Sequence, residues 1–259
     1  DRSFDVHRAA AGRRAGGVYL PQGPHGQRAA DPDCQAPWLR RAPCLPAIVV
    51  ELILSAIIER LNVRNVYLGY FLEAFVVAGL TEETCKFLFL RTTWRNPAFD
   101  YQFDAIVYAV MVALGFAAFE NVKYVYSYGF ATGIVRAVTA VPGHAIFGVF
   151  MGYFYGYAKL SDYWGRDDDR KAYLALSVVV PVLMHGCYDF LAFTQESDSR
   201  FTLLFYAYLV ALYVFGIRRV NRSSRDDRRV TRETVFDYFR RMQYPMPPQY
   251  RDRDDDFWR

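Results

Sequence analysis

Ionisable side chains interrupt the apolar middle of this sequence at positions where they could perform acid–base chemistry. The chain has four histidines, and the two beyond the N-terminal stretch, His144 and His185, both lie in long apolar segments. Placing an ionisable residue near the bilayer centre costs at least about 2.5 to 3.5 kcal/mol, so such residues usually face a cavity and serve a function. Three glutamates, Glu82, Glu83 and Glu120, complete the set that we consider for catalysis.

This combination of residues predicts water activation. Burial favours the protonated form of a carboxylate, a neighbouring histidine or lysine favours the ionised form, and the balance can poise a general base near neutral pH. Two histidines and three glutamates around a water-filled pocket could therefore activate water and bind an oxyanion. A covalent nucleophile is not indicated, because neither a serine nor a cysteine stands beside a histidine in a GxSxG-like context.

Some of these residues also have simpler structural interpretations. Glu82 and Lys86 are spaced i, i+4 and could neutralise each other, which leaves Glu83 without an obvious local partner. His185 and Asp189 share a helix face, so Asp189 either orients the imidazole or caps a helix end. The spacing alone leaves both interpretations open.

Glu120 and three further acidic residues are open to structural roles. Glu120 is the first residue of the sequence Glu-Asn-Val-Lys near one end of its segment, and it could lie at the membrane interface. Asp104 stands at the start of an apolar segment, where an N-terminal helix cap is the commoner role. We interpret Glu51 and Glu73 as structural or as lining a pore.

A metal site is not signalled by local spacing. The sequence has no HExxH motif, so a zinc site would have to be assembled from different helices, and no cofactor is expected from the residues alone. The four cysteines show no CxxC spacing, which argues against a disulfide framework or a zinc knuckle; they are Cys34, Cys44, Cys85 and Cys187.

Six apolar segments could position these side chains. Hydrophobic residues make up 53% of the 259-residue chain, and charges concentrate at its ends and in short connectors. About 20 apolar residues span a bilayer as a helix, and unpaired backbone groups cannot face lipid, so the predicted fold is an all-α bundle of transmembrane helices. The predicted spans are 45–58, 66–90, 103–125, 131–158, 172–193 and 201–217.

Lysine and arginine near the segment ends set the predicted orientation. Residues 218–229 contain six arginines, which the positive-inside rule places in the cytoplasm. We divide the chain into a poorly structured stretch at 1–44, a membrane domain at 45–217 and a charged cytoplasmic tail at 218–259. The stretch at 1–44 is interpreted as disordered or as a mistranslated replacement of an earlier membrane segment, and residues 231–242 as a short amphipathic surface helix. The net charge of +4 reflects topology signals and predicts no nucleic-acid partner.

The small residues suggest close helix packing. Gly148, Gly152 and Gly156 form a GxxxGxxxG face on the segment that carries His144. Such faces let helix backbones approach closely in lipid. Packing accounts for the glycines but not for the histidines.

Four motifs follow one another between residues 66 and 193. Residues 82–86 read EExxK, residues 103–121 read FD…Y…GFAxxEN, and two further motifs begin at His144 and at His185. In this order the motifs resemble those of the PrsW family, within the wider superfamily of type II CAAX prenyl endopeptidases.

The resemblance implies an intramembrane protease of a bacterial cell membrane. Its best-known members make the first cut in a membrane-anchored anti-sigma factor, so the implied partner is a single-span membrane protein in the lipid bilayer. Carried over, Glu83 with Glu82 would activate water, and His144 and His185 would bind the oxyanion or assist proton transfer. Glu120 with Asn121 would complete the pocket, supported by Lys86 and Asp189. If zinc is used, the implied ligands are Glu83, Glu120, His144 and His185, with a metal-free glutamate mechanism as the rival.

Two other classes of function remain open on the sequence. Intramembrane glutamates and histidines also build the proton relays of transporters. A non-catalytic sensor could instead bind a membrane partner through the glycine face.

Overall fold

The computed structural model describes residues 44–96 and 98–230, which form a bundle of helices. A π-helical segment, Leu72–Leu80, lies between α2 and α3, and a 3₁₀ turn, Ser199–Phe201, precedes α8. The described part of the chain contains no strand, only one isolated bridge between Tyr101 and Arg229, so the all-α prediction is confirmed. The predictions for residues 1–43 and 231–242 concern residues outside these ranges. The α-helices are α1 (Cys44–Arg60), α2 (Val66–Phe71), α3 (Thr81–Arg91), α4 (Gln102–Tyr128), α5 (Phe130–Val138), α6 (Ala140–Tyr163), α7 (Asp167–Ser197) and α8 (Thr202–Arg225).

Four stretches of helix are long and apolar enough to cross a membrane: Gln102–Tyr128, Phe130–Tyr163, Asp167–Ser197 and Ser199–Arg225. They correspond to the last four of the six predicted spans. The first predicted span is a helix of 17 residues. The second, from α2 to α3, is helical throughout but passes through the π-helical segment. The six-span arrangement therefore stays a prediction.

Apolar side chains cover much of the outside of the bundle, and charged side chains lie within it. Leu203 is 77% exposed and Val122 is 69% exposed, whereas Glu83 is fully buried and Lys86 is 1% exposed. Exposed apolar surface on this scale marks contact with a partner or with a membrane. The distribution agrees with a bundle surrounded by lipid.

The glycine face of α6 packs directly against the backbone of α4. A Cβ atom added to Gly152 would lie 2.5 Å from the carbonyl oxygen of Ala105, and one added to Gly148 would lie 2.9 Å from that of Ala109. Helix backbones this close require glycine. The packing interpretation of this face is therefore confirmed, and the contact fixes α6, which carries His144, against α4, which carries Glu120.

Substituting Gly152 with alanine should loosen this contact and destabilise the protein by about 1–3 kcal/mol, the usual cost of overpacking. Thermal unfolding of the purified protein in detergent measures the effect. Gly115→Ala on α4 is the matched control, because a Cβ there meets nothing within 4 Å. Equal melting temperatures for the two variants would contradict the close contact.

Residues beyond α8 fold back onto the start of α4. The backbone N–H of Gln102 donates to the carbonyl of Arg228 at 2.8 Å, and the N–H of Phe103 donates to Asp227 at 2.9 Å. Asp104 accepts hydrogen bonds from the backbone N–H groups of Tyr101 at 2.8 Å and Asp100 at 3.2 Å. It therefore caps α4 from the first turn, but the N-cap residue itself is Tyr101 and not Asp104.

The π-helical segment sets the position of the two adjacent glutamates. It runs directly into α3, so that Glu82 and Glu83 lie in the first turn of that helix. A Cβ added to Gly79 would lie 3.1 Å from the carbonyl of Val182 on α7, so the segment and α7 approach closely. π-helical turns are rare and often occur at functional sites.

Candidate active site

Four helices bring the predicted catalytic residues together inside the bundle. α3 contributes Glu82 and Glu83, α4 Glu120, α6 His144 and α7 His185. The His144 and His185 rings lie 5.0 Å apart between centroids and nearly perpendicular to each other. Residues more than 100 positions apart in sequence therefore form one cluster.

Lys86 lies at the centre of this cluster. Its Nζ is 2.7 Å from Glu83 Oε1, 3.1 Å from Glu82 Oε2 and 3.0 Å from His144 Nδ1. The ammonium also lies 4.5 Å from the centroid of the Phe116 ring. Lys86 thus neutralises Glu82, as the i, i+4 spacing suggested, and in addition joins Glu83 to His144.

The hydrogen-bond partners of His144 define its tautomer. An ammonium can only donate, so Nδ1 of His144 accepts from Lys86 and the ring proton must lie on Nε2. Nε2 then donates to Glu120 Oε2 at 2.9 Å. His144 is accordingly held as a neutral imidazole with both nitrogens engaged.

His185 lies between two carboxylates. Its Nδ1 is 2.9 Å from Glu83 Oε1, and its Nε2 is 3.2 Å from Asp189 Oδ2. An imidazole donates from both nitrogens only when it is protonated, so two ionised carboxylates would hold this ring as an imidazolium. Phe147 stacks on the ring with 5.1 Å between centroids, which fixes its plane. The contact supports the interpretation that Asp189 orients His185.

Arg136 belongs to the site although sequence reasoning did not select it. Its guanidinium lies 2.9 Å from Glu120 Oε2 and over the ring of Tyr124, 3.7 Å from the centroid. Glu120 is therefore part of the network around His144. A lone arginine within the apolar run Phe130–Val138 was the signal that could have identified it.

Replacing Arg136 with glutamine should lower the rate of substrate cleavage by about 10- to 100-fold, the usual effect of losing a residue that orients a functional group. Without the guanidinium, Glu120 loses the partner that directs it towards His144. Lys123→Gln is the control, because Lys123 is 46% exposed and lies 3.8 Å from Glu51. A cleavage assay in proteoliposomes compares the two, and equal rates would contradict the orienting role.

A cavity of about 390 Å³ opens beside the cluster. Glu82, Glu120 and Asp189 line it, whereas Glu83 is fully buried behind them. Glu51 and Glu73 also line the wall, and Ser55 donates to Glu73 at 3.1 Å. Glu82 therefore faces the cavity, and Glu51 and Glu73, interpreted from the sequence as structural or as lining a pore, lie in the cavity wall.

The cluster contains a set of metal ligands. One ligand atom from each of Glu82, Glu83, His144 and His185 lies within 4.8 Å of the others. The ligand set implied by the resemblance has Glu120 in place of Glu82, whereas in the structure Glu120 contacts Arg136 and His144 instead. Two imidazoles and two carboxylates suit zinc.

Two features bear on whether this set accepts an ion. Glu83 Oε2 is buried and accepts no hydrogen bond from the described residues, so it is free to act as a ligand. The Lys86 ammonium, in contrast, contacts three of the four groups and would have to move aside as the ion enters. The donor set fits a divalent metal, and Lys86 would compete with the ion for three of the four ligand groups.

Asn121 does not join the cluster. Its Nδ2 donates to the carbonyl of Gly133 at 3.3 Å, so it links α4 to α5.

Cys85 and Cys187 are both free thiols and partly buried. The prediction that the four cysteines form no disulfide framework also concerns Cys34, which lies outside the described residues, and stays a prediction.

Comparisons with known proteins point to one family. The family described as PrsW family intramembrane metalloprotease matches residues 41–217. Protease PrsW of Oceanobacillus iheyensis is 36% identical over 159 residues, 61% of this chain and 70% of the relative. Protease PrsW of Bacillus subtilis is 35% identical over 173 residues, 66% of this chain and 75% of the relative. That of Clostridioides difficile is 30% identical over 187 residues, 70% of this chain and 76% of the relative.

No solved structure matches the chain significantly. The family match covers all the helices that contribute to the cluster, and the long apolar helices identify an integral membrane protein. The chain belongs to the PrsW family of intramembrane metalloproteases and is an intramembrane peptidase.

Proposed function

We propose that this protein hydrolyses a peptide bond of a single-span membrane protein of the anti-sigma-factor type, with a water molecule activated at the Glu82–Glu83 pair. The cavity admits the substrate segment and the water. The cluster of Glu82, Glu83, His144 and His185, with Lys86 between them, carries out the chemistry.

The observation that carries this proposal is the position of Glu82. Its carboxylate lies in the buried cluster, 3.1 Å from Lys86 Nζ, and its side chain also lines the cavity. Glu83 is fully buried and bonds to Lys86 and His185. Of the two adjacent glutamates, Glu82 is therefore the one placed to meet water. Glu83 positions Lys86 and His185 through its hydrogen bonds to them.

In the proposed reaction Glu82 removes a proton from water as the water oxygen attacks the scissile carbonyl carbon. The carbonyl oxygen gains the electron pair and becomes an oxyanion. When the C–N bond breaks, Glu82 returns the proton to the departing amine, so that the site ends in its starting protonation state. General acid–base catalysis of this kind contributes about 10²- to 10⁴-fold to the rate.

Positive charge in the cluster favours the oxyanion. The three N–H groups of the Lys86 ammonium already donate hydrogen bonds to Glu82, Glu83 and His144, so Lys86 acts on the oxyanion through its charge and not through a further hydrogen bond. His185, held between Glu83 and Asp189, adds a second cation when it is protonated. Such charges act strongly because the water-poor interior screens them weakly.

A divalent metal, if it takes part, would be held by Glu82, Glu83, His144 and His185. Such an ion supplies Lewis-acid polarisation of the carbonyl and of water. His144 would need the lone pair that now accepts from Lys86, and His185 would need to release a proton. The chain's own residues would position the ion through the contacts of Glu120 and Asp189 with the two imidazoles.

Zinc binding can be measured apart from activity. We expect the purified protein to bind one zinc ion per chain, and His185→Asn to weaken this binding by at least about tenfold. Glu120→Gln should keep the stoichiometry, because Glu120 lies outside the four-residue set. Isothermal titration with zinc measures both. Absence of binding by the wild-type protein would contradict the fit of the donor set.

For the membrane arrangement we propose six spans with the catalytic cluster near the bilayer midplane and the C-terminus in the cytoplasm. The arginines at the end of α8 support this orientation. The helical run from Val66 to Arg91, at about 1.5 Å rise per residue, is long enough to cross the hydrocarbon core.

The proposed function is tested by reconstituting the protein in liposomes with a fluorescent single-span substrate. Cleavage by the wild-type protein, without proton flux across the vesicles, is the expected result. Proton flux or uptake without cleavage would favour the alternative that the protein is a proton-coupled transporter. Cleavage that persists when both His185 and Glu82 are substituted would remove the cluster from the mechanism.

A further inference from the structure

A second cavity, of about 300 Å³, lies apart from the active-site cavity at the end of the bundle where α8 terminates. The start of α4, the second half of α6 and the end of α8 form its walls. Arg219, Arg222 and Arg228 line it together with one acidic residue, Asp226, which pairs with Arg222 at 3.6 Å. Positive charge is therefore in excess around the cavity.

Two hydrogen-bond donors in the cavity lining have no partner. Gln102 Nε2 and Ser223 Oγ are both buried, and neither bonds to any group within the described ranges 44–96 and 98–230. A buried polar group without a partner is costly, so such groups commonly bind a ligand or ordered water. An amide N–H and a hydroxyl next to arginines suit an anionic oxygen, since all of them can donate to it.

The remaining walls are apolar or aromatic. The Arg219 guanidinium carbon lies 4.0 Å from the centroid of the Tyr153 ring, which holds the charge at the cavity wall. Phe103 and Ile106 of α4 supply an apolar side. A ligand that fits these walls carries an anionic group at one end and apolar atoms close to it.

We propose that this cavity binds the phosphate group of an anionic membrane lipid. The ends of three helices long enough to cross a membrane meet here, which places the cavity where lipid headgroups lie. Basic pockets between transmembrane helices on the cytoplasmic side are known to hold such headgroups. Arg219, Gln102 and Ser223 contact the phosphate, and Phe103 and Ile106 contact the glycerol and the first carbons of the acyl chains.

Native mass spectrometry of the purified full chain tests the site, with dioctanoyl-phosphatidylglycerol as the probe and dioctanoyl-phosphatidylcholine as the zwitterionic comparison. Arg219→Gln should weaken phosphatidylglycerol binding by about tenfold, and Ser223→Ala by about threefold, the ranges for a charge-assisted and a neutral hydrogen bond. Ser223→Ala removes only a hydroxyl without a partner, so it keeps the test independent of folding.

Arg218→Gln is the matched control, because it removes the same charge from the neighbouring position, which does not line the cavity. The affinity of Arg218→Gln for phosphatidylglycerol should stay within about twofold of the wild-type affinity, which is about the precision of the assay. Equal weakening by Arg218→Gln and Arg219→Gln would show diffuse surface attraction and overturn the site. Inorganic phosphate is the second arm: if it binds as tightly as the lipid, or if phosphatidylcholine does, the assignment to an anionic lipid fails.

Discussion

Glu82→Gln should lower the rate of substrate cleavage by about 10²- to 10⁴-fold, the contribution of a general base. The amide keeps the size of the side chain but cannot take a proton from water. A reconstituted single-span substrate, followed by gel or fluorescence, measures the loss. Folding should be retained, because the amide oxygen can still accept from Lys86, which lies 3.1 Å away.

Glu73→Gln is the control for this substitution. Glu73 lines the same cavity, but its carboxylate accepts from Ser55 and lies outside the metal-ligand group. Its cleavage rate should stay within a few-fold of the wild-type rate. A Glu82→Gln protein that cleaves as fast as Glu73→Gln would remove Glu82 from the chemistry.

Lys86→Met should destabilise the fold by about 3–5 kcal/mol, because it leaves two buried carboxylates without their cation. Glu83 is fully buried, so water cannot replace the ammonium beside it, and Glu82, which lines the cavity, is only 4% exposed. Methionine has a similar length and removes the charge with little change in packing. Equilibrium unfolding in detergent measures the loss.

The double variant Lys86→Met with Glu83→Gln separates charge from packing. Removing the more deeply buried of the two uncompensated carboxylates should restore part of the lost stability, since an unpaired buried charge costs more than a neutral pair of similar size. Lys123→Met, on the exposed rim of the cavity, should change stability by less than about 1 kcal/mol. If the double variant is no more stable than Lys86→Met, the ion pair does not account for the effect.

Much of this architecture can be predicted from hydropathy and from the cost of burying charge. Long apolar runs permit only helices in lipid, which is why the spans around Glu120, His144 and His185 were predictable. Residues at similar depth in different spans can meet in one layer. The structure places these three residues in one cluster with Glu82 and Glu83.

Which side chains contact one another is less predictable, because these contacts depend on the rotation of each helix about its axis and not on depth alone. Nothing in the sequence indicates that Arg136 binds Glu120, or that Asn121 turns towards α5. Similarly, adjacent residues such as Glu82 and Glu83 have the same depth but point in directions about 100° apart on an α-helix of 3.6 residues per turn. Only the packed bundle shows which of them faces the cavity.

The π-helical segment also escaped prediction. Apart from Glu73, residues 72–80 are apolar, and they include no proline, so nothing in their composition distinguishes this segment from an α-helix. Its effect is local: it changes the rotation at which α3 begins, and therefore the direction of Glu82. The close approach of Gly79 to α7 is the packing contact that accompanies it.

The claim that this cluster hydrolyses a peptide bond is tested most directly by mass spectrometry of the products formed in heavy-oxygen water. Wild-type protein in liposomes should cut a single-span substrate within its apolar segment, and the new carboxyl group should carry one heavy oxygen. The double variant Glu82→Gln with Glu83→Gln should give no such product. The same labelled fragments at an undiminished rate from the double variant would contradict the account.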